Sequence, residues 1–156
     1  MAPPRRVSLA VAAASIIATA GVLAWHLGCR WSSKEAADDP EIVSLGKSVY
    51  RQYCASCHGA NLEGQKNWRE PLPNGRLPAP PHNAEGHTWH HPDAVLFALT
   101  KGNTGGVGAG YETDMPRFGG TLSDDQIRAV LAFIKSTWPP EIRARQERAN
   151  RGFKPP

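Results

Sequence analysis

Cys54-Ala55-Ser56-Cys57-His58 is the stretch whose reading decides the fold of this chain. Two thiols three positions apart on a helical turn can reach the two vinyl groups of one porphyrin. The next residue, His58, then lies beneath the iron and can supply an imidazole. The spacing is therefore the signature of c-type haem attachment. Two other chemistries share part of it. A redox dithiol uses C-x-x-C in a βαβ setting, and no strand-rich segment precedes Cys54. A zinc site needs a second ligand pair. No cysteine follows Cys57, so zinc would have to borrow histidines.

Outward from the motif, the chain reads as helices separated by loops. Ile42, Leu45, Val49 and Tyr53 recur at helical spacing, which predicts an amphipathic helix over residues 41–54. Pro40 and Glu41 suit its first turn. Gly46 inside it costs about 1 kcal/mol relative to Ala and fits a site where another helix approaches closely. The expected partner is a helix over 123–137. Ser123 and Gln126 form a capping-box pattern, Ile127, Val130, Leu131 and Ile134 form an apolar face with Phe133 alongside, and Pro139-Pro140 stops it. A third short helix is expected over 92–101, with Val95, Leu96 and Leu99 inward and Gly102 as its stop. The remainder is rich in Gly and Pro and reads as loop. A domain so built must wrap around something, and a buried haem fits.

Apart from Met1, Met115 is the sole methionine. It sits in Asp114-Met115-Pro116, between Gly105, Gly106, Gly108 and Gly110 on one side and Gly119 and Gly120 on the other. A thioether in such a loop can be brought to the distal iron face, and His/Met ligation raises the reduction potential. The plainer reading is a methionine that fills core space. His82, His87, His90 and His91 compete for the same role, and a histidine cluster also suits copper or zinc. Pro80, Pro81 and Gly86 deny that stretch a regular helix, so its spacing fixes no metal geometry. Loop-packing or surface histidines are the alternative.

The termini carry the charge. Net charge is +4 over 156 residues. Residues 1–39 hold +1, residues 40–138 are neutral and residues 139–156 hold +3. This argues against a basic nucleic-acid face on the domain. Residues 7–25 are uncharged; as a helix they span about 28 Å, close to the hydrocarbon core of a bilayer. A cleaved signal peptide ending at Ala18-Thr19-Ala20 is the rival reading. Cys29 could be a lipidation site, but His26 stands where such sites usually carry Leu, so a spare thiol is the simpler reading. Residues 139–156 have little apolar surface to bury and read as a frayed helix or solvated tail. Their functional reading is attraction to anionic lipid or an acidic partner.

Gly46, Tyr50, Cys54, Cys57, His58 and Gly59, then Met115-Pro116, then Val130 and Phe133, resemble in order the helix, motif, ligand loop and closing helix of class I cytochromes c. The nearest likeness is to membrane-anchored bacterial single-haem members, over residues 41–138. The resemblance implies an all-α class I cytochrome c fold, three to five short helices wrapped around one covalent haem c, with an N-terminal transmembrane helix. It divides the chain into an anchor or signal peptide (1–29), a linker (30–40), the cytochrome domain (41–138) and a basic tail (139–156). It implies haem bound by Cys54, Cys57, His58 and Met115, with His58 and Met115 on the iron. It also implies a carbonyl from the Pro-rich loop 71–81 that orients His58. The implied function is one-electron transfer between a redox donor and acceptor, not catalysis. The implied location is the inner membrane, single-pass, with the haem domain in the periplasm. The long insert 65–91, with Trp68, Trp89 and the histidines, departs from the family pattern. The alternative is a haem subunit of a periplasmic oxidoreductase, with copper at the histidine cluster.

Overall fold

A computed structural model describes residues 36–103 and 112–154. The expected membrane segment at 7–25, Cys29 and the glycines at 105, 106, 108 and 110 lie outside the described residues. Every regular element among the described residues is helical, as the sequence predicts. Helix α1 spans Pro40–Tyr53, α2 Ala55–His58, α3 Asp93–Lys101, α4 Asp124–Ser136 and α5 Pro140–Gly152, with a 3-10 turn at Thr88–His90.

Local chemistry sets the ends of these elements. Asp39 caps α1, accepting from the amides of Glu41 (2.9 Å) and Ile42 (3.2 Å). Both halves of the expected capping box open α4. The Gln126 amide donates to Ser123 Oγ and the Ser123 amide to Gln126 Oε1. Gly102 ends α3 in the left-handed region, where a residue without Cβ is unstrained.

The core forms where α1 crosses α4, the most extensive helix–helix contact among the described residues. A Cβ on Gly46 would overlap the Ala129 carbonyl and the Phe133 Cβ, so glycine is what lets the two backbones meet. The Tyr50 and Phe133 rings pack beside it with centroids 5.4 Å apart. Ile127, Val130 and Tyr50 are at most 2% exposed. Burying each of the two aliphatic side chains contributes roughly 1.5–3 kcal/mol. The buried stripe of α1 is Gly46, Val49 and Tyr50; of the expected Ile42, Leu45, Val49 and Tyr53, Val49 is buried and Tyr53 packs partly buried against the core. Leu45 is exposed. The close approach at Gly46 centres the interface on the glycine and turns Leu45 outward.

The C-terminal segment corrects the expectation of a frayed or solvated tail. It forms α5, and that helix docks through polar groups. Gln146 is fully buried. It donates to Asp93 Oδ1 (2.6 Å) and to the His91 carbonyl (3.3 Å), while Asn150 donates to Asp93 Oδ2 (2.9 Å). Asp93 also receives Lys135 Nζ of α4 at 2.8–2.9 Å. Arg143 anchors the start of α5, donating to Asp38 and to the carbonyls of Trp138 and Ser136.

Candidate functional site

The site is built on the turn that follows α1. Cys54 ends α1, its amide donating to the Tyr50 carbonyl, and its own carbonyl accepts from the amides of Cys57 and His58. The two thiols and the imidazole thereby share a single helical turn. Cys54 is half-buried against the core and Cys57 is exposed. Burial, and then the neighbouring Cys57, push the Cys54 thiol up to about 11. A reactive redox thiol has a depressed pKa, and Cys54 is shifted the other way.

His58 is buried, and its Nδ1 lies 2.8 Å from the Pro80 carbonyl oxygen. A carbonyl only accepts, so Nδ1 carries the hydrogen and Nε2 keeps its lone pair. Metal-ligating imidazoles are commonly fixed in this way. Burial lowers the His58 pKa, partly opposed by the Pro80 bond, which favours the neutral ring that binds a metal. The carbonyl expected somewhere in 71–81 is therefore that of Pro80.

The Pro80 carbonyl is held from several sides. Gln65 and Ala79 close the loop between them, the Gln65 amide donating to the Ala79 carbonyl and the Ala79 amide to Gln65 Oε1, both at 2.8 Å. Gly64 sits in the left-handed region with its Cα against the Pro80–Pro81 backbone, which a Cβ would overlap. The Gly64 amide in turn donates to the His58 carbonyl (2.8 Å). On the other side, the Tyr50 hydroxyl reaches the carbonyls of Gly59 (2.9 Å) and His58 (3.3 Å). Burial raises the pKa of that phenol, with Cys54 and Glu63 adding to it, so it stays a donor. Tyr50 thus joins the helix crossing to the motif.

Met115 is half-buried and packs against the same hydrophobic cluster as Cys54 and Ala55. Its amide donates to Thr113 Oγ1 (3.1 Å). Arg76, from the loop that leads to Pro80, pairs with Asp114 and Glu112, which links the Pro-rich loop to the methionine loop. After Met115 the chain is pinned to the end of α3 by the Phe118 amide on the Thr100 carbonyl (3.1 Å) and the Gly119 amide on the Lys101 carbonyl (3.2 Å).

The four histidines of the insert separate into different surroundings. His82 stacks on His58, with centroids 4.0 Å apart and planes 22° apart. Its Nδ1 lies 2.8 Å from Thr88 Oγ1. Two axial ligands of one iron stand on opposite sides of the metal, and rings stacked face to face cannot do so. This placement opposes His82 as the partner of His58 in bis-His ligation. His87 stacks on Trp68 and meets His91 edge-on, both at 5.3 Å, and its Nδ1 is buried without a hydrogen-bond partner. His90 stacks on Trp89 at 3.7 Å. No group of three or more His, Cys, Asp or Glu able to hold a metal ion occurs among the described residues, so the cluster gains no geometric support as a copper site.

The donor set fits a covalently held haem: two thiols and a neutral, oriented imidazole on one turn beside an apolar core that includes a thioether. Sequence reasoning missed the Pro80, His82 and Trp138 contacts. Trp138 Nε1 donates to the His82 carbonyl at 2.7 Å. A Pro-Pro pair and a Trp before Pro139-Pro140 mark those places, but only the folded chain pairs them.

A family model described as cytochrome c oxidase, cbb3-type, subunit III, matches residues 42–134. The chain is also similar to the cbb3-type cytochrome c oxidase subunit FixP of Rhizobium meliloti (strain 1021), with 27% identity over 105 residues. That alignment covers 67% of this chain and 31% of the relative, so the chain spans about a third of the relative's length. No solved structure matches.

Proposed function

This chain belongs to the family of c-type cytochromes described as cbb3-type cytochrome c oxidase subunit III, and on that premise we propose that it is a single-haem electron carrier tethered to a membrane. The His58–Pro80 bond at the end of the C-x-x-C-H turn carries the reading. A buried imidazole whose Nδ1–H is fixed by a backbone carbonyl is prepared to give Nε2 to a metal. Among the described residues this is the histidine so arranged beside two thiols.

When bound, the haem supplies the one-electron redox couple. Cys54 and Cys57 would hold it through thioethers and His58 would offer it Nε2. Met115 would offer its thioether from the loop that Arg76 and the end of α3 position. The apolar cluster that Met115 packs against, with Leu96, Phe118, Leu122 and Val130, would lower the polarity around the group and so tune its potential. No proton transfer or bound substrate is required of the chain. Residues 7–25 anchor it, the stretch that follows links the anchor to the haem domain, and the domain lies on the periplasmic side. Tethering raises its effective concentration toward a membrane partner. Its likeness to an oxidase subunit favours an acceptor or donor within a membrane oxidoreductase complex.

Absorption spectra of the purified full chain test this. The expected oxidised protein shows the far-red methionine-to-iron charge-transfer band, and the reduced protein does not bind carbon monoxide. Met115→Ala should lose the band and gain carbon monoxide binding. A wild type that already binds carbon monoxide, with no such band, contradicts the ligand set.

A further inference from the structure

We propose that His82 is a positioning residue for the proximal imidazole, holding the rotation of the His58 ring and lowering the potential of the iron it binds. The inference rests on the reading of His58 as an iron ligand. Pro80 alone fixes one atom of the ring, Nδ1. One hydrogen bond leaves the plane free to rock about that contact. The His82 ring, stacked at 4.0 Å with planes 22° apart, closes the face of the imidazole and removes that freedom.

His82 is itself held on each side. Its amide donates to the Leu62 carbonyl (2.9 Å) and its carbonyl accepts from Trp138 Nε1 (2.7 Å). Thr88 Oγ1, in a buried residue, lies 2.8 Å from His82 Nδ1 and 3.4 Å from the Pro81 carbonyl. The hydroxyl has one hydrogen and the carbonyl only accepts. Both contacts are satisfied when Thr88 donates to Pro81 and accepts from His82 Nδ1–H. His82 then carries its lone pair on Nε2, as His58 does. An electron-rich ring beside the proximal ligand favours the oxidised, more positive iron, because second-shell polarity and local dielectric set the potential. An alkyl group there favours the reduced state.

Three variants of the haem-loaded full chain test this, each read by midpoint potential and by the electron paramagnetic resonance g-spread of the oxidised protein, which reports the orientation of the axial ligand planes. His82→Leu removes the flat ring and the lone pair; the expected result is a positive potential shift and an altered g-spread. His82→Phe keeps a flat ring; the g-spread should stay near wild type while the potential still rises. Thr88→Val leaves the stack and removes one hold on His82; a smaller shift of the same sign is expected. If His82→Leu fails to fold, the other two decide. Wild-type potential and g-spread in the variants overturns the proposal while leaving the electron-carrier reading intact. A wild-type protein that takes up no haem overturns that parent reading and this one with it.

Discussion

The crossing of α1 and α4 and the seam that holds α5 are built on opposite principles. The crossing is apolar and close, with a glycine against a backbone carbonyl and two aromatic rings beside it. The seam is polar, with Asp93 gathering Lys135, Gln146 and Asn150. The crossing falls inside the family-matched stretch 42–134, whereas α5 lies beyond it. Apolar packing tolerates small adjustments of shape, but a buried polar group must find its partner or cost stability. The family-matched half is thus held by apolar contact across one close approach at Gly46. Helix α5 is held by matched polar partners.

The largest effect should come from the seam. Lys135 has 5% of its side chain exposed and pairs with Asp93. Asp93→Ala strands the ammonium, and breaking such a pair costs about 3–5 kcal/mol. Urea unfolding should show that loss, with much of it recovered in the double variant Asp93→Ala, Lys135→Met. If the single variant is neutral, the seam is no stronger than a surface pair. Next is the crossing. Gly46→Ala forces a Cβ into the Ala129 carbonyl, and overpacking of this kind costs about 1–3 kcal/mol. An unchanged melting temperature would mean the helices are not in contact there. Smaller still, Gln146→Ala should cost about 1–2 kcal/mol, because it removes a fully buried donor from a partly buried carboxylate. It should also raise protease susceptibility at α5 before elsewhere.

The smallest effect concerns the insert. Burial lowers the pKa of His87 and His91 from 6.5. His91, His90 and Arg69 add to the shift at His87, and His90 adds to it at His91. The unfolded chain therefore takes up protons at a higher pH than the native one. This contribution is fully present above about pH 6.5 and is lost as the pH falls through the lowered native values. Wild type should lose stability below that pH, and His87→Asn should flatten the slope. Equal slopes would show that His87 titrates as it does in the unfolded chain.

The difference between the two regions also explains what the sequence made legible. The capping box of α4 is readable because Ser123 and Gln126 are three positions apart and their chemistry is local. The motif is readable for the same reason, and Gly46 is readable because a glycine inside an apolar helix needs a reason. The polar seam is not readable. Asp93 meets Lys135, Gln146 and Asn150 across separations of 42, 53 and 57 positions, and no periodicity announces a buried glutamine. Likewise the Pro-rich loop was visible, but the choice of Pro80 depended on Gly64 and on the Gln65–Ala79 closure. The exposed Leu45 shows that apolar spacing locates a helix better than it locates the face.

The central claim is that the Cys54–His58 turn holds a covalent haem. Acid–acetone extraction of the purified full chain, followed by haem quantification in pyridine and alkali, tests it most directly. One haem per chain should stay with the polypeptide in wild type and be lost in the Cys54→Ser, Cys57→Ser double variant. Haem that extracts freely from wild type, or a chain that carries none, would contradict it.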